Sequence, residues 1–251
     1  IVMGSLGSKT INEKMKKLNS GRMILLLSLL ALFSVLEIEK IKEIGRWNTM
    51  QNKTISDAEY RRDFFSREML AEKDRLSNEC IIFLENVENE VIYYPVPEST
   101  VDKSLKTSFV NGWIEERHYN GTSGHEGTDI MASKNERGIY PVVSMTEGTV
   151  TNLGWLEKGG YRVGITTESG TYYYYAHLDC YSNLKKGDRV KAGELLGYMG
   201  DSGYGEEGTK GKFAVHLHVG IYSWKNGEEI SVNPYYVLKY LENKKLKYAY
   251  S

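Results

Sequence analysis

The rhythm of apolar and polar positions changes three times along the chain. Residues 23–36, MILLLSLLALFSVL, are fourteen uncharged and mostly apolar positions in a row, with no polar face in any register. From Ser56 to Val91 glycine disappears, charge rises, and Met69, Leu76, Cys80, Phe83 and Val87 recur at spacings of 7, 4, 3 and 4, which predicts an amphipathic helix. Its stripe covers only about three heptads and is interrupted by Lys73, so a single stalk helix is favoured over a parallel dimer formed through it. Pro95 and Pro97 end that pattern and place a domain boundary near Val91. Beyond them the period shortens to two between Gly-containing turns, predicting strands at Gly148–Val150, Tyr161–Thr167, Gly170–His177, Glu194–Met199 and Val215–Tyr222. The expected fold is therefore an all-β domain of antiparallel sheets over 91–251, preceded by an apolar segment and a helical stalk or linker over 39–90.

Charge sharpens the reading of the first segment. Lys9, Lys14, Lys16, Lys17 and Arg22 precede the apolar run against the single acid Glu13, so residues 1–22 read as a basic cytoplasmic tail and the chain beyond 23–38 as exported. Fourteen helical residues reach about 21 Å across a hydrocarbon core of roughly 30 Å, a length shared by a signal peptide and a short anchor. Leu36, Glu37, Ile38 and Glu39 offer no pair of small residues for a signal peptidase, which favours an uncleaved, single-pass anchor with the β domain on the extracytoplasmic side. Because Ile1 is not methionine, and Met15-Lys16-Lys17 opens a compact export signal, translation is expected to start at Met15.

With 251 residues, 41% of them hydrophobic, the chain can bury one ordinary core. A net charge of -1 and the lack of a basic, aromatic-interleaved stripe argue against nucleic acid as a partner. Twenty-five glycines and nineteen tyrosines against four prolines fit many turns between aromatic-rich strands. Cys80 and Cys180 lie in such different contexts that two reduced thiols are expected, with a Cys80 cross-link as the alternative were the helix to dimerise.

Four of the five histidines fall into three short motifs: His125-Glu126-Gly127-Thr128-Asp129, Ala176-His177-Leu178-Asp179 and His216-Leu217-His218. A hydrolytic zinc takes three protein ligands, keeps a place for water, and needs further groups nearby to move protons. Four histidines and one aspartate supply that set. In Val215 to Ile221 the aliphatic residues alternate with the polar ones, so His216 and His218 share a strand face, and one can bind metal while the other serves catalysis. By the same period His177 shares a face with Tyr173 and Tyr175, which are candidates either for lining a groove or for ordinary strand packing. Gly127 is expected to let the backbone turn so that His125 and Asp129 converge. His118 lies outside every motif and reads as a surface residue.

The order His-x-Gly-x-Asp, Tyr-x-His-Leu, His-Leu-His resembles the signature of the lysostaphin and LytM-type zinc endopeptidases of bacterial peptidoglycan. The likeness runs from about Val91 to Leu241 and takes in Leu184 to Gly197, the turn Gly200-Asp201-Ser202-Gly203, and Val232-Asn233-Pro234. It implies an open antiparallel β domain with a groove across one face, one zinc per chain held by His125, Asp129 and His218, catalytic His177 and His216, and a peptidoglycan peptide as substrate. One departure stands out. Tyr204 to Lys212 is longer and more charged than the family's short glycine-rich turn, which bears on substrate preference rather than on catalysis. Two other readings compete with this one. A catalytically silent scaffold or activator of the same architecture, in division or sporulation, would be expected to lose site residues, and this chain keeps all five. A lipoyl-type carrier, suggested by Gly187 to Leu195, lacks the acceptor lysine hairpin.

Overall fold

The computed structural model describes residues 78–118, 122–225 and 227–251. The basic tail, the apolar segment 23–38 and most of the 39–90 stretch lie outside these residues. Among the described residues no helix is long and apolar enough to cross a membrane.

The chain enters through α1 (Asn78–Glu90), continues through the short strands β1 (Glu98–Ser99), β2 (Thr107–Phe109), β3 (Glu116–His118) and β4 (Thr122–Gly124), and then builds β5 (Thr128–Ala132), β6 (Pro141–Val143), β7 (Gly148–Leu156), β8 (Gly160–Thr166) and β9 (Tyr172–Tyr181). Next come β10 (Arg189–Val190), β11 (Leu195–Met199), β12 (His216–Lys225), β13 (Glu228–Ser231), α2 (Pro234–Leu241) and β14 (Lys247–Tyr248). Ten of these strands form one antiparallel sheet with the path β10-β7-β8-β9-β12-β5-β2; β11 joins β6 to β9, and β13 flanks β12. The β1–β14 pair, a separate two-stranded ribbon, is parallel. The expected all-β antiparallel domain is thus observed, with that small exception.

Alternation explains which face is inside. Val215, Leu217, Val219 and Ile221 are all buried, and each such side chain contributes about 1.5–3 kcal/mol by leaving water. Tyr173 and Tyr175 are fully buried beside them. The Met145 amide donates to the Tyr175 hydroxyl at 2.9 Å, and the Tyr173 hydroxyl donates to Glu90 Oε2 at 3.1 Å. Both rings therefore serve core packing, and neither lines the groove. The stripe of α1 meets the same core: Phe83 and Val87 are buried in one cluster with Ile165, Tyr173 and Leu217. These two positions of the 56–91 periodicity are spent on the β domain, which accounts for them without a partner helix.

The Val232-Asn233-Pro234 motif acquires a local reason. Asn233 is the N-cap of α2, its side-chain oxygen accepting from the Tyr235 amide at 3.0 Å, and Pro234 comes next, where no amide is needed. Cys180 is an exposed free thiol. The side chains of Cys80 and His118 lie outside the described residues.

Candidate metal centre

Sheet register assembles the site. In the antiparallel β12–β5 pair His218 stands directly opposite Asp129, and in the β12–β9 pair it stands opposite Ala176. His125 reaches the same point from the segment just before β5, pinned by backbone hydrogen bonds from Ile114 N to its carbonyl (3.0 Å) and from its amide to Glu115 O (2.9 Å). His125 Nε2 is 3.1 Å from Asp129 Oδ1 and 3.0 Å from His218 Nδ1, and His218 Nδ1 is 3.0 Å from Asp129 Oδ1. Donor atoms of these three residues all lie within 4.8 Å of one another.

The donor set fits zinc. A tetrahedral ion with bonds of about 2.1 Å needs ligand atoms roughly 3.4 Å apart, close to the edges of this triangle. The His125 ring is also prepared for it: Nδ1–H donates to Gly112 O at 3.1 Å, because a carbonyl can only accept, and this turns the Nε2 lone pair toward the triangle. Burial works against the ionised Asp129 carboxyl, yet the imidazoles of His125, His218 and His216 set around it hold it well below the usual carboxylate range.

Two further imidazoles face the same groove. Nδ1–H of His177 donates to Ser202 O at 2.8 Å, and Nδ1–H of His216 donates to Ala214 O at 2.8 Å, so each ring keeps Nε2 unprotonated and able to accept a proton. Their ring centroids are 4.7 Å apart, and His216 Nε2 lies 3.8 Å from Asp129 Oδ1. The turn Gly200-Asp201-Ser202-Gly203 thereby gains a role: Ser202 O fixes His177, while Ser202 Oγ accepts from Tyr161 N (3.0 Å) and donates to Leu178 O (2.6 Å).

The strand period misplaces His177. Tyr173 and Tyr175 point into the core, whereas His177 lines the groove with Tyr174 and Ala176. The cause is a bulge in β9: Tyr161 pairs with Leu178 but Val163 with Tyr175, so β9 carries an extra residue there, and His177 adopts φ 62°. A left-handed conformation at a non-glycine costs of order 1–3 kcal/mol, and it re-aims the imidazole toward the metal triangle. Burial first, then neighbouring His216 and His218, push His177 down to about 3. A histidine whose folded value lies below its unfolded one, near 6.5, favours unfolding once protonated, so it costs nothing above about pH 6.5 and progressively more as pH falls toward 3. Metal-free protein is expected to lose thermal stability relative to His177→Asn as pH drops from 7 to 4.5; parallel melting curves for the two proteins would contradict this.

Gly127 also acts differently from expectation. Its φ is not in the left-handed region; what it provides is room, since a Cβ there would sit 2.2 Å from His218 Cε1, 2.5 Å from His218 Nε2 and 2.8 Å from the Val219 carbonyl. Gly127→Ala must displace the His218 ring, and zinc affinity is expected to fall about 10- to 100-fold, as for other disturbed ligand supports. Chelator competition measures it; affinity within twofold of wild type would refute the close packing.

The groove around these residues has a volume of about 600 Å³ and is walled by Tyr174, Tyr204, Phe213 and Tyr222. A smaller depression of about 330 Å³, lined by Val110 and Met131, shares His125, Asp129 and His216 with it. Sequence reasoning missed Tyr174, which stands edge-on to His218 at 5.9 Å, and Phe213, 4.7 Å from His177. Tyr174 alternates with the two buried tyrosines, a signal obscured by the assumption that His177 shared their face.

The chain is similar to known proteins. The family described as Peptidase family M23 matches residues 123–234. The crystal structure of a candidate glycyl-glycine endopeptidase, lytM, of Ruminococcus gnavus is 57% identical, with a TM-score of 0.64 over 73% of this chain and 74% of that one. The L-Ala–D-Glu endopeptidase of Bacillus subtilis is 40% identical over 143 residues, and the glycyl-glycine endopeptidase ALE-1 of Staphylococcus capitis 36% over 96. These alignments take in 57% and 38% of this chain but only 41% and 23% of the two curated relatives.

Proposed function

The chain belongs to peptidase family M23, and from that premise we propose that it is a zinc metalloendopeptidase hydrolysing peptide bonds in bacterial peptidoglycan. The observation that carries this reading is the convergence of His125, Asp129 and His218 on one point, with His177 and His216 turning their Nε2 atoms into the same groove. His125 Nε2, Asp129 Oδ1 and His218 Nδ1 would hold the ion. Zinc there supplies Lewis acidity toward the scissile carbonyl and lowers the pKa of water toward about 7. The groove walls seat the peptide across the sheet. One of the two remaining imidazoles accepts the proton of the attacking water at Nε2, and that proton is passed on to the leaving amine; the 4.7 Å separation of the two rings puts both at a single bond.

We propose in addition that residues 23–38 anchor the chain in the cell membrane with the β domain on the extracytoplasmic side. The support is the apolar run and the lysine-rich stretch before it. Extraction of the native protein from membranes by alkaline carbonate would refute it.

The peptidase reading is tested by digesting purified peptidoglycan from several wall chemotypes and identifying released muropeptides by mass spectrometry. New amino and carboxyl ends, stoichiometric zinc, loss of cleavage on chelation and return on adding zinc are the expected results. Absence of both zinc and cleavage would favour a scaffold instead.

A further inference from the structure

The groove is electrically lopsided. Lys158 and Lys212 line it near His177, whereas the acid lining it besides Asp129 is Glu126, whose carboxylate accepts from Ser231 Oγ beyond Tyr222. The two lysines are brought to one rim by backbone stitching. Lys158 sits in the turn between β7 and β8, where Gly159 O accepts from the His177 amide at 2.8 Å. That turn is bonded to the loop after β11: the Gly205 amide donates to Glu157 O at 3.1 Å, and Trp155 Nε1 donates to Gly205 O at 3.2 Å. Lys212 closes the same loop, its ammonium donating to Tyr204 O at 2.5 Å.

Two cations on neighbouring loops are paired with acids, and these are not. Lys210 pairs with Asp179 at 2.6 Å and Arg137 with Asp201 at 2.9 Å. No carboxylate pairs with Lys158 or Lys212 among the described residues, and Glu206 and Glu207, on the same loop, are exposed and do not line the groove. Two uncompensated ammonium groups on the rim of a concave site beside the reacting groups raise the local concentration of anions and suit a carboxylate.

Resting on the peptidase reading, we propose that Lys158 and Lys212 form a carboxylate subsite, and that the substrate is a stem peptide carrying a free carboxylate beside the scissile bond rather than an uncharged glycine bridge. Uncharged peptides gain nothing from this rim. Amidation of that carboxylate, a change of one charge with little change of shape, is enough to forfeit the contact.

The experiment uses the full chain loaded with zinc and two synthetic stem peptides that differ only in that carboxylate, free in one and carboxamide in the other. The ratio of their kcat/KM values is expected to be about tenfold or more in favour of the free acid, carried by KM, and to shrink in high salt. In Lys158→Gln/Lys212→Gln the ratio is expected to fall toward one, while Lys158→Arg/Lys212→Arg keeps it. A variant that is merely misfolded lowers both rates together and leaves the ratio intact, so the ratio isolates the charge. Equal cleavage of the two peptides by wild type, or an undiminished preference in the double glutamine variant, overturns the subsite alone. Failure of zinc-loaded protein to cut either peptide or purified peptidoglycan overturns the peptidase reading and the subsite with it.

Discussion

Asp129→Ala is expected to abolish stoichiometric zinc and to lower peptidoglycan hydrolysis by at least about a thousandfold, since the Lewis acid it helps to hold is worth several kcal/mol at the transition state. Asp129 is the one anion of the triangle, and it contacts both histidines at 3.0–3.1 Å. Removing it leaves two neutral imidazole nitrogens 3.0 Å apart, a neutral pair that binds a divalent cation far more weakly than a set containing carboxylate. Asp129→Asn separates charge from shape: it keeps the side chain's size on β5 opposite His218 and loses the negative charge, so it should fail nearly as completely. Metal analysis of purified protein, beside cleavage assays at saturating zinc, decides the matter. A variant that keeps one zinc per chain and activity within tenfold of wild type would remove Asp129 from the ligand set.

That triangle was only partly readable from residue order. His216 and His218 could be assigned to one face because the intervening Leu217 and its alternating neighbours Val215, Val219 and Ile221 are unambiguously apolar, and they are indeed buried. Which residue of another strand would lie across from His218 was not readable, because pairing β12 with β5 joins positions 89 apart and depends on packing of the whole sheet. Local periodicity failed where backbone geometry departed from it. The bulge at His177 leaves no mark in Tyr172 to Leu178, and it exchanged the roles of Tyr174 and Tyr175. Gly127 was recognised as necessary for the wrong reason, since the ring it makes room for belongs to a distant strand. The division of His216 from His218 came from family resemblance, and the stitching of the Lys158 turn to the Tyr204 loop rests on backbone hydrogen bonds that side-chain identity does not encode. Helical period in 56–91 was real over Phe83 and Val87, yet the surface that covers them is the β domain itself.

The division between ligand and catalyst can be broken open by a pair of substitutions with opposite signatures. His216→Ala and His177→Asn are each expected to lower kcat by about 10²- to 10⁴-fold while zinc affinity changes little, because in the proposed mechanism these rings move protons without holding the ion. Asparagine is the better choice at 177, where φ is 62° and alanine would add backbone strain to the lost imidazole. His218→Ala, by contrast, should lose zinc and activity together. The geometry argues for this split: His218 Nδ1 stands 3.0 Å from Asp129 Oδ1, whereas His216 Nε2 stands 3.8 Å away, and its Nδ1 is committed to Ala214 O. Combining His216→Ala with His177→Asn should cost less than the product of the single losses, since two groups serving one proton cycle are not independent. Loss of zinc from His216→Ala would exchange the two histidines of β12, and full multiplicativity in the double variant would mean that His177 and His216 act in separate steps.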